Sequence, residues 1–238
     1  MSLVRSPVRT GAVVATTQLT PRMRRITVRC DDLPDGPIRP AQDVELLLRE
    51  PSGRRVKRRY TIRHARREPA ELDLDVLLHG DGAGSSWGTH AAPGDAIEFQ
   101  GPRGKLELRN AAWHLLCGDE SALPAIAAIA EALPDTERAV ALIEVRDASD
   151  ELPVSADVHW VHRGAHPPGT PDLLLPAASQ LDLPFAQAHG YLMGETRSMV
   201  ALRSLFEGCG LPHEAIFLKG YWNIGRPDRI AGRRPAPA

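Results

Sequence analysis

Cysteine is scarce in this sequence. The three cysteines, Cys30, Cys117 and Cys209, lie far apart and form no C-x-x-C pair, so neither a disulfide framework nor a zinc or iron–sulfur site is indicated. We therefore expect no protein-bound metal, and a reducing cytoplasm is the simplest location. Cys117 is expected to be a small buried hydrophobic residue.

Long apolar runs and an excess of one charge are also missing. No run approaches the roughly 20 apolar residues of a membrane-spanning helix, and the first residues, MSLVRSPVRTGAVVATTQL, lack the apolar segment of a signal peptide. The formal net charge is -1, from 29 basic and 30 acidic residues, which argues against a protein that coats nucleic acid. We expect a monomer without a membrane span and without a nucleic-acid partner.

Lysine is rare, since only Lys57, Lys105 and Lys219 are present, and arginine supplies most of the positive charge. Six cationic side chains fall within GRRVKRRYTIR, residues 53–63, which we call the basic island. On charge alone, a solvated strand is the ordinary interpretation. In a strand, one face would carry Arg59, Thr61 and Arg63 and the other Arg58, Tyr60 and Ile62. An aromatic ring beside a hydroxyl and arginines also suits a planar ligand that bears phosphate.

The first half of the chain predicts short β-strands separated by turn sequences such as DLPDGP, EPSG and APGD. This spacing is typical of an antiparallel barrel or sandwich. The predicted strands cover residues 8–18, 23–29, 44–49, 59–63, 72–78 and 96–100.

From about Trp113 the pattern changes to alternating strands and helices. WHLLC, AVALIEV, DVHWVHR, GYLMGE and AIFLKGY are predicted strands, whereas SALPAIAAIAEAL and MVALRSLFEGCG are predicted helices. This alternation is typical of a parallel α/β sheet. We predict a domain boundary near residues 108–112 and a flexible tail at GRRPAPA.

A glycine-rich stretch, HGDGAGSSWGTHAAPGD, runs from His79 to Asp95. Its glycines suit a loop that offers backbone N–H groups to an anion, followed by a short helix with a serine N-cap. Plain turn chemistry explains the same residues.

Two strand-to-helix turns in the second half, CGDESALPA and GETRSM, lie where open α/β sheets bind ligands. Asp119 and Glu120 would repel phosphates in a tight cradle, so a dinucleotide would be held loosely here; a helix-capping role is equally open. Arg197 is either a phosphate contact or an ordinary surface arginine.

Charged and aromatic residues follow other strands of this half. Arg146, Arg163 and Lys219 suit a 2'-phosphate if the electron donor is NADPH, whereas Glu144 or Asp147 suits an unphosphorylated ribose. The adjacent Tyr and Trp of KGYWNIGR either shield a flavin or nicotinamide ring or pack the C-terminal segment.

The order of these pieces is more specific than any one of them. The motifs are, in order along the chain, R-x-Y-T-x-R, HGDG...SxWxxxAxPGD...GPRG, GDExALPA, GE and GYW. This order resembles the siderophore-interacting protein family of FAD-dependent ferric-siderophore reductases. The resemblance covers about residues 8–226. It implies a ferredoxin-reductase-like architecture, with an FAD-binding antiparallel β-barrel domain at residues 1–110. A parallel α/β NAD(P)H-binding domain would follow at residues 111–238.

The resemblance also assigns residues. Tyr60 would lie against the isoalloxazine ring and Thr61 would hydrogen-bond near its N5 atom, which makes these two the catalytic candidates. The arginines nearby would meet the FAD phosphates. The implied cofactor-binding set is Arg58, Tyr60, Thr61, Arg63, His79, Gly80, Ser85, Trp87, Asp119, Glu120, Ala122, Leu123, Pro124, Glu195, Arg197, Tyr221 and Trp222. The hypothetical receiving patch for an anionic ferric siderophore is Arg54, Arg55, Lys57, Arg59 and Lys219.

The implied activity is transfer of electrons from NADPH or NADH through FAD to a ferric chelate. Two alternatives remain open: a flavin reductase that supplies a redox protein, and a siderophore-binding module without catalysis. The sequence departs from the family pattern at Ala83, Ser86 and Asn223. Asn223 replaces a basic residue, which weakens the expected attraction for an anionic ferric complex.

Overall fold

The computed structural model describes residues 7–50 and 52–225, apart from the side chains of residues 171 and 172. The tail predicted to be flexible lies outside these residues. Within them the chain forms two compact units: residues 7–38, 42–50 and 52–104 belong to the first, and residues 39–41 and 105–225 to the second. The assignment of residues 1–110 and 111–238 to two cofactor domains stays a prediction.

The first unit is a closed antiparallel barrel with the strand order β1-β2-β5-β4-β3-β6. A short helix, α1 (Ala83–His90), connects its last two strands. The strands are β1 (Val8–Thr20), β2 (Met23–Cys30), β3 (Asp43–Arg49), β4 (Arg55–Arg67), β5 (Ala70–Leu77) and β6 (Ala96–Arg103).

The barrel interior is built by alternation along each strand. Val44, Leu46 and Leu48 of β3 are buried, as are Leu72 and Leu74 of β5. Most of their neighbours, such as Glu45, Glu71 and Asp73, are charged, because the other face of each strand is directed away from this core. The predicted barrel is therefore confirmed, with strand β4 longer at both ends than the predicted residues 59–63.

The second unit is a parallel sheet with the strand order β11-β10-β7-β8-β9. Its strands are β7 (Trp113–Asp119), β8 (Arg138–Val145), β9 (Asp157–His162), β10 (Ala188–Glu195) and β11 (Ile216–Trp222). Its helices are α2 (Leu123–Ala132), α3 (Pro171–Ser179) and α4 (Thr196–Gly208).

Apolar clusters cover both faces of this sheet. Leu116, Ile126 and Ile143 belong to one cluster, and Leu115 with Leu142 to the other. Strands buried on both faces are nearly continuous apolar runs, which is why WHLLC and AVALIEV are recognisable in the sequence. Helix α3 is absent from the prediction. Among the described residues, no helix is both long and apolar enough to cross a membrane.

Candidate functional site

In the barrel, helix α1 approaches the tyrosine of β4 closely. A Cβ atom at Gly84 would lie 2.3 Å from the Tyr60 hydroxyl and 3.4 Å from Arg58 Cγ. The Tyr60 and Trp87 rings have centroids 5.7 Å apart and planes tilted by 40°. Only glycine permits this approach without a shift. The structure therefore brings together Arg58 and Tyr60 from one predicted stretch and Trp87 from the other.

These residues have the chemistry that FAD requires. Tyr60 and Trp87 offer aromatic surface to a planar ring, and the half-buried guanidinium of Arg58 is a donor for phosphate. At Gly84, helix α1 packs against the Tyr60 hydroxyl with no room for a side chain, and we call the group Arg58, Tyr60, Gly84 and Trp87 the cradle. The residues present thus fit an FAD molecule.

The loop before α1 is held by a different hydrogen bond from the predicted serine N-cap. The N-cap of α1 is Gly82, which makes no side-chain capping bond, so the predicted serine N-cap is wrong. Ser85 lies inside the helix, and its buried hydroxyl accepts a hydrogen bond from the His79 backbone N–H at 2.9 Å. His79 and Gly80 are exposed, and Gly80 has a φ of 56°. Ser85 therefore anchors the exposed loop, while its own contact with FAD stays a prediction.

The predicted face alternation of β4 holds as far as Ile62 and then breaks. Thr61 is buried opposite Asp43, whereas Tyr60 is opposite the core residue Val44. A register shift between Ile62 and His64 makes Arg63 the extra residue of a β-bulge. His64, instead of Arg63, pairs with Asp73 on β5. Arg63 Nη1 lies 2.9 Å from His64 Nε2, and the predicted sharing of a face by Arg59, Thr61 and Arg63 stays a prediction.

Much of the basic island is neutralised by carboxylates. Arg54 binds Glu50 at 2.6 Å, and Lys57 binds Glu45 at 2.7 Å. Burial opposes ionisation of Glu45, but hydrogen bonds from Lys57 and Arg103 outweigh it and hold the pKa of this carboxyl below its usual value.

Two exposed arginines of the island, Arg55 and Arg59, are less neutralised than Arg54. Arg59 is 3.5 Å from Glu45 with its side chain 61% exposed. Within the described part of the chain, the exposed Arg55 has no side-chain hydrogen bond or ion pair. The receiving patch for an anionic chelate stays a prediction, and Arg55 with Arg59 are the members least committed to other contacts.

In the second unit, the carboxyl ends of β7 and β10 carry buried carboxylates. Asp119 is 3% exposed and accepts bonds from the Glu195 backbone N–H at 2.7 Å and from the Trp222 indole at 2.9 Å. The N-cap of α2 is Ala122, which has no side-chain capping bond, so neither Asp119 nor Glu120 caps this helix. Glu195 does cap α4, since its side chain accepts from the Ser198 backbone N–H at 2.9 Å.

Arg163 forms a buried ion pair rather than an exposed contact. Its side chain is 4% exposed, its Nη2 lies 2.7 Å from Glu120 Oε1, and its Nη1 lies 3.8 Å from Glu144 Oε1. A guanidinium committed in this way is not available to a 2'-phosphate. Burial, together with Asp119, raises the pKa of Glu144 to about 7, although Arg163 opposes the rise.

The remaining predicted residues of the second unit lie in different environments. Ala122, Leu123 and Pro124 are buried in the core, so any cofactor contact would use their backbone. Arg197 is exposed in the first turn of α4. Lys219 Nζ lies 4.9 Å from the centroid of the Tyr221 ring, and the Tyr221 hydroxyl donates to Met193 Sδ at 3.8 Å. Cys117 is fully buried, which confirms its prediction, and burial raises the pKa of its thiol.

Sequence reasoning missed four residues that shape these sites. Gly84 admits Tyr60, Glu45 neutralises part of the basic island, and Gly169 and Thr196 contact Trp222. The only local signal was the glycine-rich character of the loop before α1. Among the described residues, no group of three or more His, Cys, Asp or Glu side chains is arranged to hold a metal ion.

Comparison with known proteins gives matches over both units. Residues 111–225 match the family model described as siderophore-interacting protein, and residues 37–106 match the model described as siderophore-interacting FAD-binding domain. Ferric vibriobactin reductase ViuB of Vibrio cholerae is 31% identical, over 75% of this chain and 68% of ViuB.

Solved structures give the same result. A siderophore utilization protein from T. fusca superposes with a TM-score of 0.85 at 30% identity, over 95% of this chain and 96% of that one. The ferredoxin reductase in carbazole 1,9a-dioxygenase has a TM-score of 0.72 at 18% identity, over 92% of this chain and 70% of that one, which confirms the ferredoxin-reductase-like fold alone. On the two family models and the ViuB match, the chain belongs to the siderophore-interacting protein family.

Proposed function

We propose that this protein is an FAD-dependent ferric-siderophore reductase, driven by NADPH or NADH, that releases Fe(II) from an anionic ferric chelate in the cytoplasm. The observation that carries the proposal is the cradle of Arg58, Tyr60, Gly84 and Trp87, within a barrel that matches a siderophore-interacting FAD-binding domain. The similarity to ViuB, a ferric vibriobactin reductase, supports a ferric chelate as the substrate class.

When bound, FAD would supply the redox chemistry, which is transfer of two electrons from the nicotinamide to two Fe(III), with oxidised nicotinamide, a proton and two Fe(II) as products. The protein's part is to bind and orient. In the proposal, Tyr60 lies against the planar ring with Trp87 packed beside the tyrosine, Arg58 binds phosphate, and Thr61 donates a hydrogen bond near the ring nitrogen that receives hydride.

Iron needs no protein ligand in this scheme. Hard oxygen chelators favour Fe(III), so reduction weakens the chelate and frees Fe(II). Exposed cations attract an anionic chelate, and Arg55 and Arg59 are the least neutralised candidates in the basic island.

Anaerobic titration tests the proposal. Purified protein loaded with FAD should be yellow, should bleach on addition of NADH or NADPH, and should regain its colour on addition of a hydroxamate or catecholate ferric siderophore. Protein that takes up no FAD would contradict the proposal and favour a binding module. Colour that returns only with a redox protein would contradict the chelate as acceptor.

A further inference from the structure

The carboxylate of Asp119 makes a full set of hydrogen bonds. Oδ1 accepts from the Ser121 backbone N–H at 2.9 Å and from the Ser121 hydroxyl at 2.5 Å. Oδ2 accepts from the Glu195 N–H at 2.7 Å and from Trp222 Nε1 at 2.9 Å. A carboxylate has about four acceptor positions, so these bonds leave none for a nicotinamide or a ribose.

The contact with Trp222 crosses the sheet. Asp119 ends β7 and Trp222 ends β11, and β10 lies between these strands. Gly194, near the end of β10, makes the crossing possible: it has a φ of 152°, and a Cβ there would lie 2.7 Å from Asp119 Oδ2. The glycine of the GE motif thus admits the carboxylate of the GDE motif.

Other contacts hold Trp222 at its backbone and at its ring. Thr196 Oγ1 donates to the Trp222 carbonyl at 3.0 Å. Gly169 lies against the indole, since a Cβ at this position would come within 2.7 Å of Cη2 and 3.0 Å of Cζ2. Glu195 accepts from the Ile224 N–H at 3.2 Å, just beyond the tryptophan. These contacts hold the backbone of Trp222 and one side of its half-buried ring, and the bond to Asp119 sets the direction of the indole N–H.

We infer that Asp119 is a positioning residue whose carboxylate orients the Trp222 indole at the carboxyl edge of the sheet, as an aromatic surface for the planar ring of the nicotinamide. This inference rests on the proposed function for the identity of that ring. It assigns Asp119 an indirect role, in place of the direct cofactor contact that the resemblance implies. The three motifs GDE, GE and YW then form one structural unit.

The test compares Asp119→Asn, Trp222→Phe and the double variant, each loaded with FAD. Asparagine replaces one carboxylate oxygen by an NH2 group, which faces N–H or O–H donors on either side. Phenylalanine keeps an aromatic ring but lacks the indole N–H. We expect each single variant to raise KM for the nicotinamide about tenfold or more, with the double variant no worse than Trp222→Phe alone. If the double variant raises the nicotinamide KM by the product of the two single effects, the inference is overturned.

A second readout does not depend on activity. The near-ultraviolet circular dichroism of the wild type minus that of Trp222→Phe isolates the signal of this indole, and Asp119→Asn should reduce that signal. Ser121→Ala is the matched control, since it removes a hydrogen bond to the same carboxylate without touching Trp222. It should lower Tm but leave the dichroism and the nicotinamide KM near wild type. An unchanged indole signal in Asp119→Asn, or an equal loss in Ser121→Ala, would contradict the positioning role. If neither NADH nor NADPH reduces the wild-type protein, the proposed function is contradicted instead. The dichroism would still test the role of Asp119.

Discussion

Arg163 Nη2 lies 2.7 Å from Glu120 Oε1, and both side chains are more than nine-tenths buried. The other terminal nitrogen of this guanidinium, Nη1, lies 3.8 Å from Glu144 Oε1, and the Glu144 side chain is buried as well. Arg163 is thus the ion-pair partner of two buried carboxylates at the end of the sheet. A buried cation in this position stabilises the fold and is not an exposed anchor for phosphate.

Replacement of Arg163 by methionine should therefore be a stability variant. Removal of one partner leaves buried carboxylates uncompensated, so the free energy of unfolding should fall by about 3 kcal/mol or more. Urea denaturation measures this loss. The ratio of KM values for NADPH and NADH should stay unchanged. Arg146→Ser is the control, because Arg146 is exposed at the end of β8 and its loss should cost little stability. A fully stable Arg163→Met with a selectively raised NADPH KM would contradict the account.

Glu144 should make the stability of the protein depend on pH near neutrality. Its pKa is raised from 4.5 to about 7, so the folded state binds the proton more tightly than the unfolded state. The raised pKa contributes to the free energy of unfolding, and this contribution is fully present below pH 4.5, where the carboxyl is protonated in both states. It is lost as the pH rises to about 7. Glu144→Gln removes this loss, so the variant should gain on the order of 3 kcal/mol over the wild type between pH 5 and 8. Unfolding curves at several pH values measure the difference, and parallel pH profiles would show that Glu144 does not titrate there.

Gly84→Ala should weaken FAD binding. The new Cβ would lie 2.3 Å from the Tyr60 hydroxyl, so the tyrosine must move, and we expect the Kd for FAD to rise about tenfold, as for a loss of about 1.4 kcal/mol. Fluorescence titration of FAD gives the Kd. Gly82→Ala is the control, because a Cβ at Gly82 meets nothing within 4 Å.

A second substitution separates displacement of the ring from general misfolding. Tyr60→Phe removes the clashing oxygen, so Gly84→Ala should cost less FAD affinity in the Tyr60→Phe background than in the wild type. Wild-type affinity in Gly84→Ala itself would show that the cradle does not hold the cofactor.

The basic island should contribute unevenly to chelate binding. Arg55→Ser should raise KM for an anionic ferric siderophore and flatten its salt dependence, because Arg55 is exposed and carries no ion pair among the described residues. Arg54→Ser should have the smaller effect, since Glu50 already neutralises Arg54 at 2.6 Å. Steady-state kinetics at low and high ionic strength measure both variants. Equal kinetics for Arg55→Ser and wild type would remove the island from substrate binding.

The sequence predicts most of the fold because the signals are local. Apolar runs mark β7 and β8, and helical spacing marks α2 from Leu123. Helix α3 was missed because Pro171 and Pro176 within it, and further prolines before it, are typical of a loop. Strand β4 was predicted too short because its charges find partners on β3 and β5, and such pairing is not visible in β4 alone.

The candidate sites show the same division. The positions of Arg58, Tyr60 and Trp87 in the chain predict a planar phosphate-bearing ligand, and the structure brings them together. The roles of Asp119 and Trp222 depend on a hydrogen bond between residues 103 positions apart. No local sequence pattern indicates a contact between such distant residues. The family resemblance therefore places Asp119 at the cofactor itself.

The most direct test of the central claim is the yield of Fe(II) in a single anaerobic turnover. FAD-loaded protein is reduced with a stoichiometric amount of NADH or NADPH, then mixed with a ferric siderophore and a chromogenic Fe(II) chelator. Ferric-siderophore reduction predicts about two Fe(II) per nicotinamide consumed, with return of the flavin absorbance at the same rate. No Fe(II), with a flavin that stays bleached in the presence of the siderophore, would contradict it.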